Sequence, residues 1–179
     1  MKGLEKHIID TIKEWQIKIG YREGKMKLYY PGSTLIELLD LPEDIGEDGL
    51  HQALDDFFKW EEPSLGEITI SGNMERYCLT IPKEGCAYVA EQVEDPVFLK
   101  RFLAVITDKK ATMEQVRTCF LTYAKECNLT LHEEDESGEE LGHVFYFEGE
   151  TEETYVYCVE QDEFGITYHR FTWQDFKRL

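Results

Sequence analysis

The segment HEEDESGEELGH, residues 132–143, has side chains that could bind a metal ion: two histidines and six acidic residues around Gly138. If Gly138 took the glycine position of a calcium-binding loop, the twelfth position, which must supply a bidentate carboxylate, would be Val144. The flanking residues alternate like strands, whereas a calcium loop lies between helices. The segment is therefore interpreted as a solvated acidic hairpin loop.

A second candidate metal site is formed by Glu47, His51 and Asp55, which lie four residues apart. Steps of four place side chains on one stripe of a helix, and histidine with carboxylates can bind zinc or manganese. The sequence offers no further ligand motif to complete the site, and an acid such as Glu47 also suits a helix N-terminus. We expect no metal and no other cofactor.

General-base catalysis would depend on histidine, whose unperturbed pKa lies near neutrality. The candidates are His51, His143 and His169. The sequence contains no nucleophile elbow and no phosphate-binding glycine loop. An enzyme with a histidine and carboxylate site between two lobes is therefore the alternative hypothesis, and a non-enzymatic protein is favoured.

Charge is distributed unevenly along this chain, whose formal net charge is −18. The span from Glu126 to His169 contains fourteen acids and no lysine or arginine, whereas residues 1–30 contain seven basic residues and four acids. Direct binding to nucleic acid or to an anionic membrane requires the opposite sign and is not expected. A basic protein surface would fit, and the candidate binding residues are Glu133, Glu134, Asp135, Glu136, Glu139, Glu140, Tyr155 and Tyr157.

The composition predicts a cytoplasmic protein. Apolar runs such as residues 102–106 are far shorter than a membrane span, and the N-terminal residues lack the apolar region of a signal peptide. The five cysteines form no CxxC pair and are expected to be buried free thiols.

Helices and one hairpin are predicted for the N-terminal two-thirds. Leu4, Ile8, Ile12, Trp15 and Ile19 recur at helical spacing, and Gly20 is expected to end that helix. A strand is predicted at 25–30, and a hairpin is predicted to turn at Gly72-Asn73. Two further helices are predicted to begin with capping boxes, one formed by Thr34 and Glu37 and one by Thr112 and Gln115. Pro82 and Asp95-Pro96 are each expected to open a helix, and another helix is predicted to carry Leu50, Leu54, Phe57 and Phe58 on one face.

Four strands are predicted in the C-terminal third, at 129–133, 143–148, 154–161 and 166–171, followed by a short helix capped by Thr172. Aromatic or apolar residues occupy both the odd and the even positions of these strands, so both faces of the sheet must pack against other structure. Helices near 98–125 can cover one face, and the N-terminal helix, a second subunit or a ligand could cover the other. The fold class is α+β: a helix-rich N-terminal two-thirds with a β-hairpin, then an antiparallel β-meander packed on helices. We expect one domain over residues 1–179, with sub-lobes at 1–110 and 111–179.

The stretch EWQIKIGYREGKMKLYYP, residues 14–31, resembles the opening of a family of small uncharacterised bacterial proteins. The resemblance implies a bacterial, cytoplasmic protein and brings no activity, cofactor or catalytic residue with it.

The favoured hypothesis is a non-enzymatic binding or regulatory module with an acidic C-terminal surface. A narrower version is an inhibitor that mimics nucleic acid, which predicts carboxylates in two rows at phosphate spacing. The competing explanation of the net negative charge is that it only keeps the protein in solution. Basic and acidic segments of one chain can pair without the entropy loss of association, so we expect a monomer or, at most, a weak dimer.

Overall fold

The computed structural model describes residues 3–21, 23–61, 63–136 and 142–179. The chain divides into two compact units, Met1–Pro96 and Val97–Leu179. Helices predominate in the N-terminal part and an antiparallel sheet packed on helices lies at the C-terminus, which confirms the α+β class. Within the described residues, no helix combines the length and the apolar character needed to cross a membrane.

The first unit combines helices with a three-stranded antiparallel sheet in the order β1-β3-β2. Its elements are α1 (Gly3–Ile19), β1 (Met26–Tyr30), α2 (Gly32–Leu38), α3 (Glu47–Asp56), a π-helical turn (Phe57–Glu61), a 3-10 turn (Pro63–Leu65), β2 (Thr69–Asn73), β3 (Arg76–Ile81) and α4 (Lys83–Gln92).

Helix α1 forms where its apolar spacing predicts, and Leu4, Ile8 and Ile12 are fully buried in the core of the first unit. The helix ends at Gly20, whose φ of +76° favours glycine. Trp15 and Ile19 share this helical spacing, but their side chains are 48% and 49% exposed. The last turn of α1 lines a surface cleft instead of the core.

The turn of the N-terminal hairpin lies two residues later than predicted. Asn73 pairs with Arg76 across the hairpin, so Met74 and Glu75 form the turn. The Asn73 side-chain oxygen accepts the N–H groups of Glu75 and Arg76 at 3.1 and 3.4 Å. Asparagine therefore directs this turn from the position before it.

One of the two predicted capping boxes is present. Thr112 Oγ1 accepts the Gln115 N–H at 3.4 Å, and Gln115 Oε1 accepts the Thr112 N–H at 2.9 Å. The box at Thr34 is wrong, because α2 already begins at Gly32 and Thr34 lies inside it.

The second unit contains a four-stranded antiparallel meander in the order β4-β5-β6-β7. Its elements are α5 (Val97–Ile106), α6 (Met113–Glu126), β4 (Thr130–Glu136), β5 (Gly142–Glu148), β6 (Val156–Asp162), β7 (Gly165–Phe171) and α7 (Trp173–Phe176). The predicted capping of α7 is confirmed, because Thr172 Oγ1 accepts the Asp175 N–H at 3.1 Å.

Helices α5 and α6 cover one face of the meander, here called the inner face, as predicted. Phe98 and Phe120 contact Phe147 and Phe145 with ring centroids 4.9 and 4.5 Å apart. The opposite, outer face is covered in part by α7. Its Trp173 and Phe176 pack against a buried cluster formed by Val144, Val156 and Cys158. The second cover, which the sequence left open, therefore includes the C-terminal helix.

Candidate functional site

The acidic residues of β4 are divided between the two faces of the sheet, because side chains alternate along a strand. Glu133 lies on the inner side, where Arg117 Nε of α6 donates to both carboxylate oxygens at 2.9 Å. This contact also raises the pKa of the Arg117 guanidinium, chiefly through the hydrogen bond to Glu133. Glu134 is exposed and pairs across the sheet with Val144, so it belongs to the outer face.

The other predicted acidic residues follow Glu134 in the sequence. Asp135 and Glu136 belong to β4, opposite His143 and Gly142, so the predicted loop is a strand up to Glu136. Glu139 and Glu140 lie outside the described residues, as does the Ser137–Gly138 segment tested above as a calcium loop.

The outer face carries three rings, here called the aromatic row, in which Tyr146 contacts both His132 and Trp173. His132 lies directly opposite Tyr146 in the register, and their rings stack 4.6 Å apart at an interplanar angle of 5°. The Trp173 ring meets Tyr146 edge-on at 4.6 Å. The sheet register thus supplies two of the rings and the C-terminal helix supplies the third.

Two carboxylates flank the aromatic row. His132 Nε2 lies 2.6 Å from Glu148 Oε2. Burial raises the pKa of the Tyr146 hydroxyl, and the charges of Glu134 and Glu148 raise it further. The row is therefore an aromatic surface bordered by negative charge, and such a surface attracts a cation through its π faces and its carboxylates together.

The tyrosines predicted to bind a partner lie in the core of the second unit. Tyr155 and Tyr157 are 5% and 0% exposed. Tyr157 donates its hydroxyl to Glu153 Oε1 at 3.0 Å, and Arg170 lies 4.2 Å from the centroid of the Tyr155 ring. Burial raises the pKa of Tyr157 well above its usual value. Their geometry is that of a buried polar network beneath the sheet surface.

Each candidate histidine belongs to a different element. His51 belongs to α3 of the first unit, His143 to β5 and His169 to β7 of the second. His169 is exposed and lies directly opposite Cys158. Cys158 is only 3% exposed within an apolar cluster, so its thiol lies outside the reach of a substrate at this surface.

The candidate metal ligands of α3 form one pair. His51 Nδ1 lies 3.5 Å from Asp55 Oδ2, and both side chains are largely exposed. Glu47 lies in the first turn of the helix. Across residues 3–21, 23–61, 63–136 and 142–179, no three histidine, cysteine or acidic side chains gather as a metal site would require.

Sequence reasoning selected the acidic residues of this surface and missed the aromatic row. The signal was present: Tyr146 has the opposite parity to Phe145 and Phe147, so it had to face away from them. The stacking partner His132 could be found only once the register of β4 against β5 was known.

A family model matches the whole chain, residues 1–179, and its description is a domain of unknown function, E. rectale gene description (DUF3877). The chain belongs to the DUF3877 family. The resemblance noted at residues 14–31 is confirmed at the level of the family, which is bacterial. No curated protein and no solved structure matches the chain. What this DUF3877 protein does must therefore be inferred from its own geometry.

Proposed function

We propose that this protein is a non-catalytic binding or regulatory module whose outer sheet face binds a basic segment of a partner protein. The observation that carries the proposal is the aromatic row His132, Tyr146 and Trp173 with Glu134 and Glu148 beside it. A lysine or arginine side chain fits this surface because its stem packs on the rings while its charge meets the carboxylates.

The expected complex is weak and sensitive to salt. A cation over an exposed aromatic ring gains about 0.5–1 kcal/mol. A carboxylate at about 4 Å adds roughly 1 kcal/mol in water, and salt screens this part. The span from Glu126 to His169, which lacks lysine and arginine, adds a long-range field that steers basic partners toward this unit.

A different enzyme, with a cysteine nucleophile, would use the cross-strand pair of Cys158 and His169. Catalysis there would require Cys158 to reach a substrate, and its burial among Val144 and Val156 opposes this. The binding hypothesis needs no such rearrangement, because Glu134 and Glu148 are already exposed.

A lysine-rich peptide of ten residues serves as the probe, with an equally long glycine-serine peptide as the neutral control. We expect the lysine peptide to bind, and the variant Glu134→Gln/Glu148→Gln to weaken it about tenfold. The matched control is Glu150→Gln/Glu152→Gln, which removes the same charge from exposed positions outside the aromatic row.

The two double variants separate a specific surface from general acidity. Equal weakening by both would assign the binding to net charge and reject the outer face. Tyr146→Leu should weaken the lysine peptide while leaving the charge unchanged. An unaltered affinity in that variant would remove the aromatic row from the proposal.

We further propose that the protein acts in the cytoplasm as a monomer or a weak dimer. Lys13 of the basic N-terminal segment is already paired within the chain, with Asp95 at 3.1 Å. Light scattering at micromolar concentration should give the monomer mass, and a stable dimer would contradict this.

A further inference from the structure

A cleft of about 330 Å³ lies within the first unit, at the C-terminal end of α1. Its walls come from the last turn of α1, the loop that follows, the start of β1 and one residue of α4. This volume is in the range of small-molecule sites, roughly 300–1,000 Å³. None of the outer-face residues lines it.

The cleft has an apolar wall that the fold leaves open to solvent. Trp15, Ile19 and Tyr21 line it and are 48%, 49% and 43% exposed. Three large apolar side chains grouped at one surface position are typical of a binding site on a soluble protein.

The floor of the cleft is uncharged and held in place. Gln16 Nε2 donates to the backbone oxygen of Cys86 at 2.8 Å, which ties α1 to α4 beneath the cleft. Burial raises the pKa of the Cys86 thiol, so the thiol stays neutral. A preformed floor of this kind lowers the entropy loss of binding.

The rim supplies positive charge on one side. Lys25 and Lys27 line the cleft, are exposed, and form no ion pair within the described part of the chain. Burial raises the pKa of the Tyr21 hydroxyl, and the charges of Glu23 and Glu84 raise it further, so these acids lie near that wall of the cleft. The lysines therefore attract one negative group on a ligand, and the acids near Tyr21 oppose a second one.

We propose that this cleft binds a small aromatic monocarboxylate. The ring lies against Trp15 and Tyr21, and the carboxylate reaches Lys25 and Lys27. The apolar wall and the neutral floor favour an aromatic ring, and Lys25 and Lys27 favour an anion over an uncharged molecule. Glu23 and Glu84, near Tyr21, disfavour a second negative charge on that anion.

Cinnamate is the probe, with cinnamyl alcohol as its uncharged analogue and phenyl phosphate as the dianion. Binding is followed in proton–nitrogen NMR spectra by the indole N–H signal of Trp15, assigned with Trp15→Phe. The Trp173 signal, from the second unit, is the internal control. We expect cinnamate to move the Trp15 signal alone, with a millimolar or tighter Kd, as its size allows.

Lys25→Gln/Lys27→Gln should weaken cinnamate about tenfold, since each exposed charge contributes somewhat under 1 kcal/mol. Lys109→Gln/Lys110→Gln removes the same charge from exposed positions in the second unit and should leave binding unchanged. Tyr21→Ala removes part of the exposed wall and should abolish the shift without unfolding the chain.

An unmoved Trp15 signal at saturating millimolar cinnamate overturns the proposal. Equal binding of cinnamyl alcohol, or equal weakening by the two lysine variants, overturns the assigned role of Lys25 and Lys27. Stronger binding of phenyl phosphate would replace the carboxylate by a phosphate ligand. All these outcomes are independent of lysine-peptide binding at the outer face.

Discussion

Glu133 and Glu134 are neighbours in the sequence, and neutralising each should have a different consequence. Glu133→Gln removes the charge that Arg117 contacts, so it should lower the free energy of unfolding and leave lysine-peptide binding nearly intact. Glu134→Gln removes an exposed charge of the outer face, so it should weaken binding and leave stability within about 0.5 kcal/mol of wild type.

The size of the stability loss follows from the exposure of the pair. The side chains of Arg117 and Glu133 are 37% and 26% exposed, so water screens much of their attraction. Exposed ion pairs contribute roughly 0.2–1 kcal/mol, and the bidentate contact favours the upper end. A loss of about 1 kcal/mol lowers the Tm by roughly 2–4 °C in a chain of this size.

The assay is urea unfolding of wild type, both single variants, Arg117→Met and the Arg117→Met/Glu133→Gln double variant. The double-mutant cycle isolates the Arg117–Glu133 coupling from the contact of Arg117 with Glu114. The coupling should shrink at high salt. If Glu133→Gln weakens the peptide as much as Glu134→Gln while stability stays unchanged, the division of β4 between two faces is wrong.

Three further predictions concern stability and reactivity. Gly85→Ala should lower the Tm despite the better helix propensity of alanine, because the added Cβ would lie 2.2 Å from a backbone oxygen. Gly24→Ala, with open space around the added Cβ, should leave the Tm unchanged or raise it, and thermal melts of both variants check this. The pKa of Tyr157 is raised in the folded state, so above pH 10 the unfolded state loses this proton first and the free energy of unfolding falls. In urea unfolding measured at increasing alkaline pH, the free energy of unfolding of Tyr157→Phe should fall less steeply than that of wild type. An equal slope in the two proteins would contradict this. Exposed Cys127 should react with iodoacetamide before buried Cys158, as peptide mass spectrometry can measure, and the reverse order would revive the enzyme hypothesis.

Hydrophobic periodicity predicted where the helix α1 forms better than it predicted which of its apolar side chains are buried. The spacing in α1 placed Leu4, Ile8 and Ile12 correctly on one buried face. Trp15 and Ile19 follow the same spacing, yet they are exposed and line a surface cleft. A sequence period records which side chains share a face, and the extent of the neighbouring element is set by contacts distant in sequence.

The hairpin turn and one helix start differ from their predicted positions for a related reason. Gly72-Asn73 has the composition of a tight turn, yet Asn73 acts from the strand end and Met74-Glu75 turns. The Thr112 and Gln115 box formed because the helix begins there, whereas the chain before Thr34 was already helical. Local chemistry predicts that a turn or helix start is near, and the exact residue depends on the register of the whole element.

Residues of the outer face differ in how much they contribute to packing and how much to the proposed binding. Trp173 both closes the cluster over Val144 and contributes a ring to the aromatic row, so any change there alters packing and recognition together. Glu134 is exposed, so its charge can be removed with little loss of packing. Substitutions of the carboxylates can therefore change binding at this surface without changing the stability of the fold. Substitutions of Trp173 change both.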